Sequence, residues 1–304
     1  MSVETTGSKI LIVGGSGFVS GTLARRAVAQ GHKVWTITRG QHAVPDGVIA
    51  LKVDRHDQEA FADAVVEQDV QWDLVIDCIG FQPADAKQDL AVFRERARHL
   101  VFVSTDFVYD PARRQFPQNE DAAFFVTEGY GANKRLCELE LLNGDSGDMA
   151  WTIVRPTHIY GPGSGLGCLP LHSRDVNLIA RLKNGEILRL VAGGYFLQQP
   201  ILARDLADLM LSLGGNENTF GQVYNAVGPD IIESREYYAI IARLFGKGIK
   251  VEEIPVSRYL SSHPERAPFL CHRFYDLSGL EASGAAVPST PVEQGLREHV
   301  ESLL

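Results

Sequence analysis

The chain is poor in cysteine and in long apolar runs, and each shortage excludes a class of protein. Its 4 cysteines among 304 residues show no C-x-x-C spacing, so the sequence indicates neither a zinc site nor a disulfide framework. The polar start has no signal-peptide core, and no apolar run is long enough to cross a bilayer. We therefore expect a protein of the reducing cytoplasm with no metal and no membrane partner.

Basic residues are also scarce relative to acidic ones. The chain has 29 Lys and Arg against 38 Asp and Glu, which gives a formal net charge of −9. This balance argues against nucleic acid or an anionic membrane as partner, although a local basic patch is still compatible with it. With 304 residues, 45% of them hydrophobic, the chain can bury a full core as one α/β unit or as two unequal lobes.

Apolar strands alternate with amphipathic helices over the first half of the chain. This alternation predicts an α/β fold of the Rossmann type, a doubly wound parallel sheet with helices on both faces. We expect a dinucleotide-binding domain at 1–155 and a smaller substrate lobe at 156–304, interleaved with late elements of the main sheet. Strands are predicted at Lys9–Val13, Lys33–Thr38, Val48–Val53, Leu74–Asp77, His99–Ser104 and Trp151–Arg155, and helices at Gly17–Gln30, Asp57–Gln68, Pro83–Arg96 and Tyr130–Leu142.

A glycine-rich turn follows the first predicted strand. Gly14 and Gly17 fit a G-x-x-G-x-x-G pattern whose third position is Ser20, with Gly21 one residue later. Glycines let such a turn close tightly, so that backbone N–H groups approach a pyrophosphate at the positive helix N-terminus. The pattern therefore predicts a dinucleotide site, and its alternative is a glycine-rich turn without a ligand.

A Tyr/Lys pair lies at helical spacing near the middle of the chain. Tyr130 and Lys134 share one helix face. A nearby ammonium favours phenolate, so we expect Lys134 to lower the pKa of Tyr130 and Tyr130 to move a proton at an alcohol or ketone. Thr105, which ends a predicted buried strand, would hydrogen-bond the same oxygen. An isolated pair of this kind is common on helix surfaces, and the ordered combination with Thr105 and the glycine turn is what indicates catalysis.

These motifs resemble the extended short-chain dehydrogenase/reductase family, in its NAD(P)-dependent epimerase/dehydratase group. The resemblance covers nearly the whole chain and includes residues 53–55, 103–109, 130–134, 154–162, 205–207, 223–228 and 291–296. Within the group, the chain is similar to the branch that contains chloroplast stem-loop-binding proteins. Their second strand also tends to end in a polar-Arg-Gly run, here Thr38-Arg39-Gly40.

The resemblance implies a role for each matching position. Tyr130 would be the acid/base, Thr105 would polarise the reacting oxygen, and Lys134 would hold the nicotinamide ribose. Asp54 and Arg55 would border adenine, although Asp54 could merely cap the following helix. Cofactor contacts are implied at Gly14, Ser16, Gly17, Phe18, Val19, Arg39, Asp54, Arg55, Cys78, Ile79, Gly80, Tyr130, Lys134, Pro156 and His158, and substrate contacts at Thr105, Asp106, His158, Gln198 and Arg273.

The end of the second strand bears on the choice of cofactor. NAD enzymes usually place Asp or Glu there to bond the ribose hydroxyls, whereas this chain has Thr38 followed by Arg39. A guanidinium can pair with a 2′-phosphate, and no carboxylate repels it. The sequence therefore favours NADP over NAD, while Arg39 stacked on adenine or in solvent remains an alternative.

Two departures from the family pattern bear on the substrate. Thr105-Asp106 is followed by Phe107, which argues against dehydration because the second carboxylate of the family's dehydratases is absent. Gln198 stands where the family usually has its pyrophosphate-binding Arg. Arg174, Arg189, His272 and Arg273 are the candidates to replace it, and Arg273 is our choice. We expect hydride movement at a carbinol or ketone carbon of a sugar-like substrate, by epimerisation or reduction. By analogy we also expect a homodimer, and the alternative function is that of a non-catalytic or RNA-binding relative.

Overall fold

A seven-stranded parallel sheet forms the centre of the molecule, and the Rossmann-type α/β prediction is confirmed. The computed structural model describes residues 7–304. The strands are β1 Lys9–Val13, β2 Lys33–Thr38, β3 Val48–Lys52, β4 Leu74–Asp77, β5 His99–Val103, β6 Ala150–Pro156, β7 Ile159–Tyr160, β8 Ile187–Val191, β9 Leu197–Gln198, β10 Ile201–Leu202, β11 Gln222–Ala226, β12 Ile232–Glu233 and β13 Lys250–Ile254. The helices are α1 Phe18–Ala29, α2 Gln58–Val66, α3 Pro83–Phe93, α4 Gly129–Asn143, α5 Leu178–Lys183, α6 Ala203–Leu213, α7 Ser234–Leu244, α8 Val256–Ser262, α9 Ser278–Ala282 and α10 Val292–Glu301.

The strand order of the main sheet is β11-β6-β5-β4-β1-β2-β3, and every neighbouring pair is parallel. The order in which successive strands are added reverses at β1. Strands β2 and β3 lie on one side of it, and β4, β5 and β6 lie on the other. In open parallel sheets, ligands bind outside the carboxyl ends of the strands at such a switch point. The glycine-rich turn after β1 lies at this edge.

Alternation along the strands explains why helices cover both faces of the sheet. In β1, Ile10 and Ile12 pack into one core cluster and Leu11 and Val13 into another, because successive strand side chains point to opposite faces. The first cluster includes apolar residues of α1 and α6, and the second includes those of α2, α3 and α4. The short runs in the sequence predicted these strands because strands covered on both faces are mostly apolar.

A second, smaller layer is built from the later part of the chain. Its core contains buried residues of α5, α7, α10 and β8, and β8 pairs in parallel with β13. Strands β8 and β13 were not predicted, because β8 mixes exposed and buried residues and β13 is mostly exposed. Strand β11 joins the main sheet from beyond residue 156, and the division into two domains stays a prediction.

Residues 7–304 contain neither a membrane-spanning helix nor a metal-binding cluster. No helix within them is long and apolar enough to span a membrane. No group of three or more His, Cys, Asp or Glu side chains in that range is arranged to hold a metal ion.

Helix α4, which carries the Tyr/Lys pair, is fastened to the sheet by a buried ion pair. The Glu138 carboxylate accepts from Arg155 Nε and Nη2, both at 2.9 Å, and from the Ser104 hydroxyl at 2.6 Å. Arg155 lies in β6 and Ser104 directly follows β5. Burial acts to raise the pKa of Glu138, but the Arg155 guanidinium outweighs it and the pKa is lowered.

Glu138→Gln is expected to lower the free energy of unfolding by about 3–5 kcal/mol, because it leaves the Arg155 charge buried without its counter-charge. Glu293→Gln, in the exposed pair with Arg297, is the matched control and should cost about 0–1 kcal/mol. Urea unfolding at pH 7 measures both. Since the pKa of folded Glu138 is depressed, its contribution is present above the unfolded pKa of about 4.3 and is lost as pH falls through the folded value. The two variants losing equal stability at pH 7 would contradict this assignment.

Candidate active site

One cavity lies beyond the carboxyl ends of the strands and collects most of the predicted site. Its volume is about 490 Å³, within the range of small-molecule sites. The predicted residues that line it are Phe18, Val19, Cys78, Thr105, Tyr130, Lys134, Pro156, His158, Gln198 and Arg273. The predicted residues outside its lining are Gly14, Ser16, Gly17, Arg39, Asp54, Arg55, Ile79, Gly80 and Asp106.

The turn after β1 depends on Gly15, which the motif analysis did not single out. A Cβ added there would lie 2.4 Å from Thr36 Cγ2 in β2, and Gly15 has φ +113°. Gly14 has φ +120° and donates its N–H to Ile37 O. The two glycines let the turn lie against β2, and the first amides of α1 then open toward the cavity without intrahelical partners.

Ser20 takes part in the turn through its side chain as well as its small size. Its hydroxyl accepts a hydrogen bond from the Gly17 N–H at 3.2 Å, so the serine closes the turn where the motif expects glycine. The Ser16 hydroxyl lies 3.4 Å from Thr38 Oγ1, which also accepts from the Gly40 N–H. Arg39 is exposed beside this contact.

The Lys134 ammonium is buried between two strand ends. Its side chain donates to Gly80 O at 2.6 Å and to Val103 O, and the residue is only 1% exposed. Burial lowers the pKa of Lys134, whereas the charge of Asp77 opposes that shift. The lysine therefore ties α4 to the ends of β4 and β5 and still lines the cavity.

Tyr130 reaches the end of β5 because Gly131 permits a close approach. A Cβ on Gly131 would lie 2.0 Å from Phe107 O, so only glycine lets the first turn of α4 pack on the 3₁₀ turn that follows Thr105. Thr105 Oγ1 accepts from the Phe107 N–H at 3.3 Å, so its hydroxyl can donate either to the Tyr130 phenol or to a ligand. The three predicted catalytic residues thus line one cavity.

The expected effect of Lys134 on Tyr130 was wrong. Partial removal from water raises the pKa of Tyr130, while the Thr105 hydroxyl acts in the opposite direction. Lys134 gives its hydrogen bonds to backbone carbonyls instead of to the phenol. Tyr130 is 51% exposed and is a neutral phenol at pH 7, suited to donating a proton.

Aromatic rings around Tyr130 were not predicted. Phe81 and Phe107 both lie with ring centroids 6.4 Å from that of Tyr130, and Phe269 packs edge-on against Phe107 at 5.4 Å. All three line the cavity. Their positions in loops far apart in the chain gave no periodic signal.

The structure corrects the predicted role of Arg55, whereas the role of Asp54 stays a prediction. Arg55 is 4% exposed and its guanidinium pairs with Asp77 at 2.7 Å, with Asp89 at 3.1 Å and with Asp85 at 3.3 Å. Its side chain is therefore committed to the interior and cannot border adenine. Asp54 accepts from the His56 N–H, which is a local turn role, whereas Asp57 caps α2.

The turn after β4 is shaped by Asp77. Its carboxylate accepts the Ile79 N–H at 2.7 Å, and a Cβ on Gly80 would meet its Oδ2 at 2.4 Å. Burial acts to raise the pKa of Asp77, but the Arg55 guanidinium outweighs burial, and the pKa of Asp77 is lowered. Burial raises the pKa of the Cys78 thiol, which keeps it protonated and disfavours reactivity as a thiolate.

Asp106 and Arg273, predicted to contact substrate, are paired with each other. Asp106 Oδ2 accepts from Arg273 Nη1 at 3.0 Å and from the Tyr275 hydroxyl at 2.6 Å. Asp106 is 1% exposed and does not line the cavity, so its predicted substrate contact is corrected to a structural role. Arg273 lines the cavity, but its other amino group donates to Pro268 O.

His158, Pro156 and Gln198 line the cavity as predicted positions, on or beside β6 and β9. His158 Nε2 is buried without a hydrogen-bond partner among residues 7–304. Burial lowers the pKa of His158 to about 4, so the imidazole is neutral at pH 7. A neutral ring with an unused nitrogen can donate to or accept from a ligand, depending on its tautomer.

The sequence also matches the model of a known protein family. Residues 10–226 match the model of the NAD dependent epimerase/dehydratase family. The chain belongs to this family. The family prediction made from the glycine turn and the Y-x-x-x-K pair is thereby confirmed.

Named family relatives differ in activity. The chain is 26% identical over 235 residues to the chloroplast stem-loop binding protein of 41 kDa b from Arabidopsis thaliana, covering 72% of this chain and 58% of that protein. It is 22% identical over 320 residues to the UDP-N-acetyl-alpha-D-glucosaminuronate decarboxylase of Bacillus cytotoxicus, covering 96% and 97% of the two chains. The chain thus spans 58% of the length of the plant relative.

Solved structures share the fold over nearly the full length. An epimerase from Methanothermobacter thermautotrophicus has a TM-score of 0.79 at 16% identity, with 97% of this chain and 92% of that chain covered. UDP-glucose 4-epimerase from Thermotoga maritima, solved with UDP-glucose, has a TM-score of 0.77 at 18% identity and coverages of 97% and 98%. At identities of 16% and 18%, these structures show only that the present chain shares their fold.

Gly15→Ala is expected to destabilise the family fold at its glycine turn. The positive φ costs about 1–3 kcal/mol in any non-glycine residue, and the clash with Thr36 adds about 1–3 kcal/mol. Gly31→Ala is the control, since Gly31 also has positive φ, +83°, but its added Cβ would meet nothing within 4 Å. Thermal and urea unfolding of both variants compare the two costs, and equal losses would mean that the turn does not press on β2.

Proposed function

We propose that this protein is an NAD(P)-dependent oxidoreductase that acts at a carbinol or ketone carbon of a sugar-like substrate. The observation that carries the proposal is the convergence of Thr105, Tyr130 and Lys134 in one cavity that begins at the N-terminus of α1. Membership of the NAD dependent epimerase/dehydratase family supports the same class of reaction.

The residues fit a nicotinamide cofactor. The positively polarised start of α1 and the turn at Gly14 and Gly15 suit a pyrophosphate. Phe18 and Val19 connect that turn to the cavity, and the Lys134 ammonium retains one N–H beyond its two carbonyl acceptors to offer to ribose hydroxyls. When bound, the cofactor accepts or donates hydride at its nicotinamide ring.

Tyr130 and Thr105 would handle the hydroxyl proton. A neutral Tyr130 phenol donates its proton to the substrate oxygen in reduction and recovers it in oxidation. Thr105 holds the same oxygen by its hydroxyl proton. The buried Lys134 ammonium stabilises the phenolate that forms, even though it does not create one in the resting protein.

Reduction and epimerisation use the same three residues and differ in whether the ketone leaves. Native mass spectrometry of protein purified without added cofactor separates them. Retained NAD would favour epimerisation with internal recycling, whereas empty protein that then binds NADPH would favour reduction with an exchangeable cofactor. Protein that neither retains nor binds a nicotinamide nucleotide would sink the proposal.

RNA binding is the second candidate, because the plant relative is named a stem-loop binding protein. The net charge of −9 opposes it. The homodimer remains a proposal by family analogy.

Tyr130→Phe is expected to reduce the rate of hydride transfer by on the order of a hundredfold or more, because it removes the proton donor. Cofactor affinity should change little, since the variant keeps the aromatic ring and loses only the hydroxyl group. The rate is followed by NAD(P)H absorbance with a ketone substrate found by screening. Exposed Tyr195→Phe is the control, and an unaltered rate in Tyr130→Phe would mean that another group supplies the proton.

Arg39→Ala is expected to weaken NADPH at least tenfold while leaving NADH nearly unaffected, about 1.4 kcal/mol of selective loss. The reason is the loss of a guanidinium that can pair with the 2′-phosphate. Nicotinamide fluorescence titrations with both cofactors measure the difference, and Arg243→Ala, whose exposed side chain pairs with Glu236, is the control. An equal loss for both cofactors would indicate adenine stacking by Arg39.

A further inference from the structure

The cavity has a charge opposite to that of the chain as a whole. Among residues 7–304, no Asp or Glu contributes to its lining, whereas Lys134, Arg174 and Arg273 do. The chain carries a net charge of −9. The charged side chains of the cavity are thus all cationic, although the protein as a whole is acidic. Such a cavity favours anionic ligands, because the electric field is concentrated in a cleft lined by one sign of charge.

Two of the three cations are already accounted for. Lys134 is bonded to Gly80 O and Val103 O and serves the cofactor end in the proposed function. Arg273 is engaged by Asp106 at 3.0 Å, a carboxylate that it shares with Arg114 at 3.5 Å. The side chain of Arg174 forms no hydrogen bond or ion pair with any of residues 7–304, so its guanidinium is the charge available to a ligand.

Arg174 belongs to a loop that forms one wall of the cavity. We call this the loop wall and define it as Ser164, Gly165, Cys168, Leu169, Ser173 and Arg174. The wall is anchored to two helices. His299 of α10 accepts from the Gly161 N–H at 3.2 Å and bonds Ser164 O at 2.8 Å, which requires the neutral tautomer with its proton on Nε2. The Cys168 N–H donates to the Tyr238 hydroxyl of α7.

Close packing within the loop wall places Arg174 in an uncommon backbone conformation. Arg174 has φ +53°, in the left-handed region that is unfavourable for non-glycine residues and persists only where the surroundings enforce it. A Cβ on Gly165 would lie 3.0 Å from Arg174 Cα, and one on Gly167 would lie 1.6 Å from His172 O. The Asp175 N–H also donates to Leu166 O. The backbone of Arg174 is therefore fixed at the cavity by its neighbours, while the residue itself is exposed to solvent.

A second unsatisfied group lines the same cavity. His158 Nε2 is buried and without a partner among residues 7–304. Both Arg273 and Arg174 act to keep this imidazole uncharged, after burial itself. A neutral imidazole that can donate and a free guanidinium together supply hydrogen bonds for one small anionic group with an adjacent polar atom.

We propose that the substrate carries a single anionic group, a carboxylate or a phosphate monoester, that Arg174 binds at the loop wall with His158 as a neutral hydrogen-bonding partner. This inference rests on the proposed function for the reacting end of the substrate. One free guanidinium matches one such group. Gln198 in the same lining is uncharged and supplies no second cation for a diphosphate.

Anion binding to the protein saturated with NADPH tests the inference. Isothermal titration with inorganic phosphate, glycolate and inorganic pyrophosphate gives three affinities, and the tighter of the first two identifies the phosphate or the carboxylate form. Arg174→Gln is expected to weaken the bound anion at least tenfold, and Arg174→Lys should recover part of the loss because it restores charge without the planar fork. Arg189→Gln, whose exposed side chain faces Glu252 outside the cavity, should bind as the wild type does.

The outcomes separate this inference from the proposed function. If the wild type binds NADPH but none of the three anions, or if Arg174→Gln binds them unchanged, the inference is wrong and the oxidoreductase proposal stands. Pyrophosphate binding more than tenfold tighter than phosphate would also overturn the single-anion assignment. If the wild type does not bind NADPH, the proposed function itself fails. Thermal unfolding of each variant shows that it is folded.

Discussion

The buried ion pair between Glu138 and Arg155 is the contact on which the geometry of the candidate site depends. It joins α4 to β6, and the Ser104 hydroxyl joins the same carboxylate to the end of β5. Glu138 lies four residues after Lys134 and Ser104 lies directly before Thr105, so one set of bonds sets the distance between the helix and the strand that carry the triad. Removing either partner would leave a charge in the core, which enforces the arrangement.

Burial then determines what each titratable group at the site can do. Lys134 fits between two strand ends by giving hydrogen bonds to carbonyls, and Tyr130 therefore keeps its proton in the resting protein. Asp77 and Arg55 form a second buried network beneath Gly80, next to the carbonyl that Lys134 bonds. The carboxylate of Asp77, rather than the phenol of Tyr130, is thus the negative group that stabilises the charge of Lys134. The proton chemistry starts from a phenol, and the ammonium acts on the phenolate only after it forms.

Most strands of the main sheet could be predicted from short stretches of sequence, because parallel strands covered on both faces are mostly apolar. The ends of β1, β2 and β4 were predicted as observed. Prediction failed for β8 and β13, because their pairing depends on a second layer that joins residues distant in the chain. The same limit applied to the site. Spacing indicated Tyr130 and Lys134, but nothing in the sequence around Arg55 revealed that its guanidinium turns inward.

The sequence by itself determined the family, the α/β sheet and the positions of Thr105, Tyr130 and Lys134, since these depend on short motifs and on hydrophobic period. Only the tertiary structure decided which charges remain available. Asp106 pairs with Arg273 across 167 residues of chain, three aspartates hold Arg55, and the anchored loop wall leaves Arg174 free at the cavity. The reason is physical: the state of a charged side chain is set by burial and by partners in space, and neither can be read from its neighbours in sequence.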